Sequence, residues 1–303
     1  MNQTKPLLLV DGSNLVYRVF YAFQHLFTSY GHFSGGVYGM AKMLNFYCEK
    51  FGSNKIIIAW DSKGNWRKDL TKSYKEHRHN KQKDSIMDTM KEIQEFCRYC
   101  GIVTIKKEGL EADDLIAMVC RAVGENVAIV TGDKDMLQLI DDSKNIFVVR
   151  PGKGGEVKIL HEKEAEEVFG VKAEHIKYYL ALTGDGVDEI KGVPGYGKAK
   201  AKDTLKYKVT INVKKRLLRW LNLNDRKIFL LNLKLIELTN LPFRLGKDSL
   251  YSYKPPNKNK LDKMLKDLQI RKFVGFELIQ KFHNKKFKVN FLRQVMKDSH
   301  YEI

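Results

Sequence analysis

Short apolar runs alternate with longer stretches of helical period through the first half of the chain. Residues 7–10, 55–60, 103–106 and 127–130 are almost uninterruptedly apolar, as strands buried on both faces of a parallel sheet are. Between them, apolar positions recur every three to four residues. Residues 15–26 and 37–51 read as helices, the second with Met40, Met43, Leu44 and Tyr47 on one face. Residues 86–100 read as a third, in which Ile93, Phe96, Cys97 and Cys100 follow the i, i+3, i+4, i+7 rule, so both cysteines are expected in the core. A fourth helix is marked by Leu115, Ile116, Val119, Ala122 and Val123 and ends at Gly124. Residues 146–150 and 157–160 suggest a β-hairpin around a glycine cluster that lacks the Gly-Lys-Ser/Thr ending of a phosphate loop. From His161 onward the pattern is almost wholly helical. The expected fold is therefore α/β, a mostly parallel central sheet flanked by helices, with a C-terminal helical region and a soft boundary near residue 160 that divides 1–160 from 161–303.

The strand ends carry acids. The first strand runs into Asp11, the second into Asp61 and the fourth into Asp133 and Asp135. Parallel strands align their carboxyl ends, so these four should share one edge, where α/β folds place ligands. Glu111, Asp113 and Asp114 open the fourth helix, and Asp185 and Asp188 follow farther on. Each acid taken singly is explained by helix capping or the helix dipole. Nine converging carboxylates would repel one another unless cations neutralise them. With hardly a Cys or His nearby they select Mg²⁺ or Mn²⁺ over zinc, and they are too many for one ion. Two metals can activate water and stabilise the leaving oxygen of a phosphodiester.

Charge sharpens this picture. The chain has 54 Lys and Arg against 36 Asp and Glu, a formal +18. The excess is clustered: eight basic against three acidic residues in 61–83, nine against one in 198–219, and 13 against five from 254 to the end. Such a balance calls for a polyanionic partner, and nucleic acid leads because no run of about 18 apolar residues suggests a membrane span. The polar, basic segment 62–84, with Trp66 and Tyr74 interleaved, is expected to bury no core of its own. The four cysteines fit a reducing compartment, and the N-terminus lacks a signal-peptide pattern, so a cytoplasmic protein is expected.

After Asp188 comes Gly192-Val-Pro-Gly195-Tyr-Gly197, then Lys198, Lys200 and Lys202. A Gly-x-Pro-Gly-x-Gly turn before a basic helix is a helix–hairpin–helix pattern, placed at about 180–210. Its glycines let backbone N–H groups approach a phosphate.

Taken together, these motifs resemble the 5′-nuclease (flap endonuclease) family, which includes free-standing phage 5′–3′ exonucleases, the phage ribonuclease H type and the 5′-nuclease domain of bacterial DNA polymerase I. The matching stretches run in family order from residue 7 to about 205: Val-Asp-Gly-Ser-Asn-Leu at Asp11 with Tyr17 and Arg18, Trp60-Asp61, Arg67 with Tyr74, Lys75 and Arg78, Glu-Ala-Asp-Asp from Glu111, Thr-Gly-Asp-Lys-Asp ending at Asp135, Leu-Thr-Gly-Asp ending at Asp185, and the glycine turn. The resemblance implies a PIN-like core. It implies that Asp11, Asp61, Glu111, Asp113, Asp133 and Asp135 belong to the main metal cluster and that Asp114, Asp185 and Asp188 lie at or near a second site. It implies that Lys75 and Arg78, in an arch over about 62–84, steer the scissile phosphate, with Arg18 near it. Arg67, Tyr74, Gly192, Gly195, Gly197, Lys198, Lys200 and Lys202 become nucleic-acid contacts, with K⁺ bound at the hairpin. Two departures stand out. The family's usual Asn after Asp188 is Glu189, and its Gly-x-Gly-x-Lys-Thr-Ala is Gly195-Tyr-Gly-Lys-Ala-Lys-Ala201 here.

The expected activity is a structure-specific, divalent-metal-dependent 5′ nuclease that cleaves branched or 5′-ended duplex DNA or RNA–DNA, with polymerase, sliding clamp or single-strand-binding protein acting in trans and the chain itself a monomer. Two alternatives stay open: a catalytically silent relative that binds nucleic-acid ends, and a PIN-type ribonuclease. Retention of nine acids in a basic chain argues against the first; the hairpin and the segment 62–84 argue against the second.

Overall fold

The computed structural model describes residues 5–76, 82–152, 155–206, 212–241, 251–252 and 254–270. Arg78 lies outside them, as does most of the basic stretch beyond 254.

Seven strands form one sheet in the order β6-β5-β4-β1-β2-β3-β9. Its centre is β1 (Leu7–Asp11), flanked by β2 (Ile56–Ala59) and β4 (Val127–Val130); β3 (Val103–Ile105) and β5 (Ile146–Pro151) lie outside these. All four pairings among these five strands are parallel. The edges are antiparallel: β6 (Val157–Leu160) closes the expected hairpin on β5, and β9 (Tyr251–Ser252), which the helical reading of the second half missed, adds to β3.

Period-two alternation sends each strand's side chains into two cores. Leu8, Val10, Ile56 and Ile58 face α1 (Gly12–Ala22), α2 (Gly35–Lys50) and α4 (Lys83–Tyr99). Leu7, Leu9 and Ile57 face α5 (Ala112–Val123), and that core continues without a break into α7 (Ile176–Thr183), α8 (Lys198–Lys206) and α10 (Leu223–Ile236). The composition boundary at residue 160 is thus not a gap in the packing. Cys97 on α4 and Cys100 just past its end are fully buried.

The chain passes from β1 to β2 and β3 on one side, then returns to the other side of β1 with β4 and β5. The C-terminal ends of β1 and β4 are therefore the topological switch point, where such sheets form a crevice. The turn there is tight: a Cβ on Gly12 would lie 2.6 Å from Ile58 Cγ2 and 2.8 Å from the Ala59 carbonyl oxygen. Asp11 caps α1 by accepting the Asn14 N–H at 2.9 Å. After α7, a two-stranded ribbon of β7 (Gly184–Asp185) and β8 (Ile190–Lys191) leads through the turn at Pro194 and Gly195 into α8. Among the described residues no helix is long and apolar enough to cross a membrane.

Candidate active site

The acid-bearing strands β4, β1 and β2 are consecutive in the sheet, so Asp133, Asp11 and Asp61 come to one edge in that order. Asp11 is 4% exposed; besides Asn14 N–H, it accepts the Thr131 hydroxyl at 2.8 Å. Asp61 accepts the Ala112 N–H at 2.8 Å and so ties the end of β2 to the start of α5. Its own N–H donates to the Ser13 hydroxyl at 2.9 Å. Asp133 accepts the Asp135 N–H at 2.9 Å.

The electrostatics divide the acids into two neighbouring groups that share Asp133. In the first, burial and then Asp61 and Asp133 push the Asp11 carboxyl up to about 7, against the hydrogen bonds from Asn14 and Thr131. Asp113 is raised well above the usual carboxylate range by burial, then by Asp133 and Asp11. In the second, burial, Asp133 and Asp185 push Asp135 up to about 7. Asp135 Oδ1 is buried without a hydrogen-bond partner. Among the described residues no three acids close into a finished cage. Hard oxygen donors held together against their repulsion, one of them orphaned, nevertheless fit divalent cations, which would stabilise the ionised forms.

The base of the segment 62–84 is folded against these acids and lends Tyr74 to the core around α5, where the segment's polarity leads one to expect no core contribution. Residues Arg67–Leu70 form the short helix α3. Arg67 is 2% exposed and grips both oxygens of Asp114, at 2.7 Å and 3.0 Å, while donating to Glu111 at 3.0 Å and to the Leu235 carbonyl at 2.6 Å. Asp114 is wholly buried and also accepts from Trp66 Nε1 at 3.2 Å and from the Glu111 N–H at 3.1 Å, completing the capping box of α5. Its oxygens are therefore engaged in a structural ion pair, a correction to its assignment as a metal ligand. Arg67 is likewise too buried to meet a phosphate. Tyr74 is 3% exposed with its single O–H shared between Glu111 at 3.0 Å and Asp188 at 3.2 Å, so it presents no ring face for a base. Trp66 packs on the core.

Lys75 does point inward. Its Nζ lies 2.6 Å from Glu111 and 3.5 Å from Asp188. Burial alone would lower its pKa, but Glu111, Tyr74 and Asp188 outweigh that and raise it, so the ammonium stays charged. The same contact, joined by Arg67, holds the Glu111 carboxyl below its usual range despite burial.

Asp185 is buried, accepts the Val187 N–H at 2.8 Å and pairs with Lys134 Nζ at 3.2 Å. Asp188, in the turn between β7 and β8, meets Tyr74 at 3.2 Å and Lys75 at 3.5 Å and, with Asp185, acts on Asp135. Gly192 packs tightly on the end of α7, where a Cβ would lie 2.5 Å from the Thr183 carbonyl oxygen; Gly195 and Gly197 stand open. Lys198 and Lys200 are exposed, and the Lys200 ammonium sits 4.3 Å from the Tyr196 ring centre. Lys202 is half-buried along Gly170 at the end of α6 (Glu162–Phe169). Arg18 donates to the Gly152 carbonyl just beyond β5. Sequence reading missed Ser13, Asn14, Thr131 and Lys134, which orient or neutralise the acids. A hydroxyl or amide one to three residues from a strand-end Asp was the available signal.

The model of the 5′-3′ exonuclease N-terminal, resolvase-like domain matches residues 6–170. A 5′-3′ exonuclease of Aquifex aeolicus is 31% identical over 279 residues, 89% of this chain and 94% of that one. A 5′-3′ exonuclease of Buchnera aphidicola (subsp. Schizaphis graminum) is 37% identical over 201 residues, 64% of this chain and 67% of its own. Among solved structures, a bacteriophage T5 flap endonuclease in a pseudo-enzyme–product complex with DNA and metal ions superposes with a TM-score of 0.61 at 16% identity, over 95% of this chain and 98% of that one.

Proposed function

The chain belongs to the 5′-3′ exonuclease family, and from that premise we propose that it is a divalent-metal-dependent 5′ nuclease hydrolysing phosphodiesters near the 5′ ends of branched or nicked DNA, RNA primers on DNA included. The carrying observation is the placement of Asp11 at the end of β1, and of Asp61 and Asp133 just beyond the ends of the neighbouring parallel strands β2 and β4, with Asp113, Glu111 and Asp135 beside them. Two Mg²⁺ ions, replaceable by Mn²⁺, would be held by Asp11, Asp61, Asp113 and Asp133 on one side, with Glu111, which in the metal-free chain is engaged by Lys75, Arg67 and Tyr74, beside them, and by Asp133, Asp135, Asp185 and Asp188 on the other. When bound, such ions lower the pKa of water and stabilise the leaving oxygen.

The chain's own side chains do the rest. Asn14 and Thr131 aim Asp11, and Asp61 fixes the start of α5. Lys75 brings a permanent positive charge to the edge where a substrate phosphate would sit, with Arg78 as its companion from the arch. Lys198 and Lys200, with the backbone of the Gly192–Gly197 turn acting as a helix–hairpin–helix, hold duplex phosphates beside a K⁺ ion. The formal +18 supports DNA as the partner and a salt-sensitive affinity. We place the protein in the cytoplasm as a monomer, with residues 1–160 as the catalytic unit, 161–303 as the DNA-holding unit, and polymerase, clamp or single-strand-binding protein acting in trans.

The test is incubation with a 5′-flapped duplex and with a nicked duplex carrying a 5′ RNA stretch, in Mg²⁺ and in EDTA, with product sizing. Short 5′ products in Mg²⁺ alone are expected; intact substrate in both conditions would overturn the reading.

A further inference from the structure

Two residues in left-handed backbone meet across the mouth of the site. Lys75 has φ +53° and Glu189 φ +59°. The other non-glycine residues with positive φ among those described are Asn126, Asn145 and Gln269. Asparagine tolerates this region, whereas a lysine and a glutamate stay in it only where their surroundings hold them.

The surroundings here are each other. The Lys75 N–H donates to the Asp188 carbonyl at 3.3 Å. The Glu76 N–H donates to the Glu189 carboxylate at 3.1 Å. The Tyr74 O–H, shared between Glu111 and Asp188, lies 3.2 Å from the Asp188 carboxylate. Three successive residues at the foot of the arch are thus fastened to two successive residues of the β7–β8 turn. The left-handed turn at Lys75 swings its side chain inward, to 2.6 Å from Glu111. Glycine or asparagine would fit the backbone of residue 189 at less cost, but glycine has no acceptor and asparagine is one methylene shorter. Glutamate combines a left-handed anchor with an acceptor that reaches the neighbouring strand of chain.

We infer that Glu189 is a positioning residue whose carboxylate holds the Glu76 amide, fixes the foot of the arch on the β7–β8 turn, and thereby sets where Lys75 enters the acid cluster. The consequence for cleavage rests on the 5′-nuclease reading; the fastening itself does not.

Two measurements on the full chain test this. The first is hydrogen exchange of residues 74–76 without metal or DNA. Slow exchange of the Glu76 amide is expected, at least about tenfold faster in Glu189→Ala and Glu189→Gly and less affected in Glu189→Gln, which keeps an acceptor oxygen. The second is single-turnover cleavage of a 5′-flapped duplex in Mg²⁺, with affinity measured separately in Ca²⁺. Both Glu189→Ala and Glu189→Gly should cut about tenfold or more slowly, as misplaced catalytic groups do, while affinity stays within about twofold. Glu189→Gly also relieves the backbone, so its melting temperature should not fall, which separates lost positioning from lost folding. In a Lys75→Ala background neither substitution should slow cleavage further, because the group being positioned is gone. Unchanged exchange at Glu76 sinks the fastening. An equal loss of rate with and without Lys75 sinks the positioning role. A wild-type chain that does not cleave at all defeats the nuclease reading and the rate half of the inference with it, leaving the exchange result to decide the fastening alone.

Discussion

Replacing Asp114 by Ala would leave the Arg67 guanidinium in a buried site without its main counter-charge. Both partners are almost wholly inaccessible, the arginine at 2% and the aspartate at 0%. Removing one member of such a pair typically costs about 3–5 kcal/mol, because the survivor keeps its desolvation penalty. Arg67 would retain Glu111 at 3.0 Å and the Leu235 carbonyl at 2.6 Å, which places the expected loss near the lower end, about 3 kcal/mol. The capping contact of Asp114 on the Glu111 N–H goes as well. At about 2.1 cal/mol/K per residue, unfolding a chain of this length carries an entropy of roughly 0.6 kcal/mol/K, so the melting temperature should fall by about 5 °C. The assay is calorimetry in EDTA, which excludes any metal contribution. Asp133→Ala serves as the contrast: it removes one of several mutually repelling acids and should leave the melting temperature unchanged or higher. The double variant Arg67→Met with Asp114→Leu should recover most of the loss, since apolar pairs of similar volume often replace buried ion pairs without cost. A melting temperature for Asp114→Ala within about 1 °C of wild type, with Mg²⁺ binding abolished, would refute the structural assignment and return Asp114 to the metal set.

Three further outcomes are expected. Asp133→Asn should abolish cleavage in Mg²⁺ while DNA affinity in Ca²⁺ stays within a few-fold, since the change removes a ligand and not a phosphate contact; normal cutting would exclude Asp133 from the site. Asp11 and Asp135 titrate near 7 in the fold against 3.8 ordinarily, so the folded state binds the extra protons, and their contribution to metal-free stability is complete below about pH 4 and lost as pH rises through 7. Asp11→Asn should flatten that decline in melts run in EDTA, and an unchanged slope would contradict the raised pKa. Lys200→Ala should weaken binding to all duplex sequences alike and reduce the log–log salt slope by about 0.9, as loss of one phosphate contact does; a sequence-selective loss would indicate base readout instead.

What the sequence determined by itself was set by periodicity and by the ends of periodic segments. Period-two and period-3.6 patterns specified the buried strands and their helices, because burial of apolar faces is a local property of spacing. Strand-end acids could be assigned to one edge because parallel strands point the same way, and Asp133, Asp11 and Asp61 do follow or end the adjacent strands β4, β1 and β2, close enough for both neighbours to act on Asp11. The edge strand β9 escaped, since two residues hold no period, and its pairing with β3 joins segments nearly 150 residues apart.

Only the tertiary structure decided which charges face each other. Asp113 and Asp114 are neighbours in the chain and looked alike. A helix turns its successive side chains about 100° apart, so Asp113 faces the acids at the sheet edge while Asp114 turns under the cap onto Arg67. In the same way Tyr74 turns inward as a hydrogen-bond donor, and its neighbour Lys75 reaches the acids through a left-handed backbone that no motif announces. Pattern fixes which face of an element is apolar. Which polar groups neutralise one another depends on elements brought together from 40 to 170 residues apart, and that is decided only when the cores have closed.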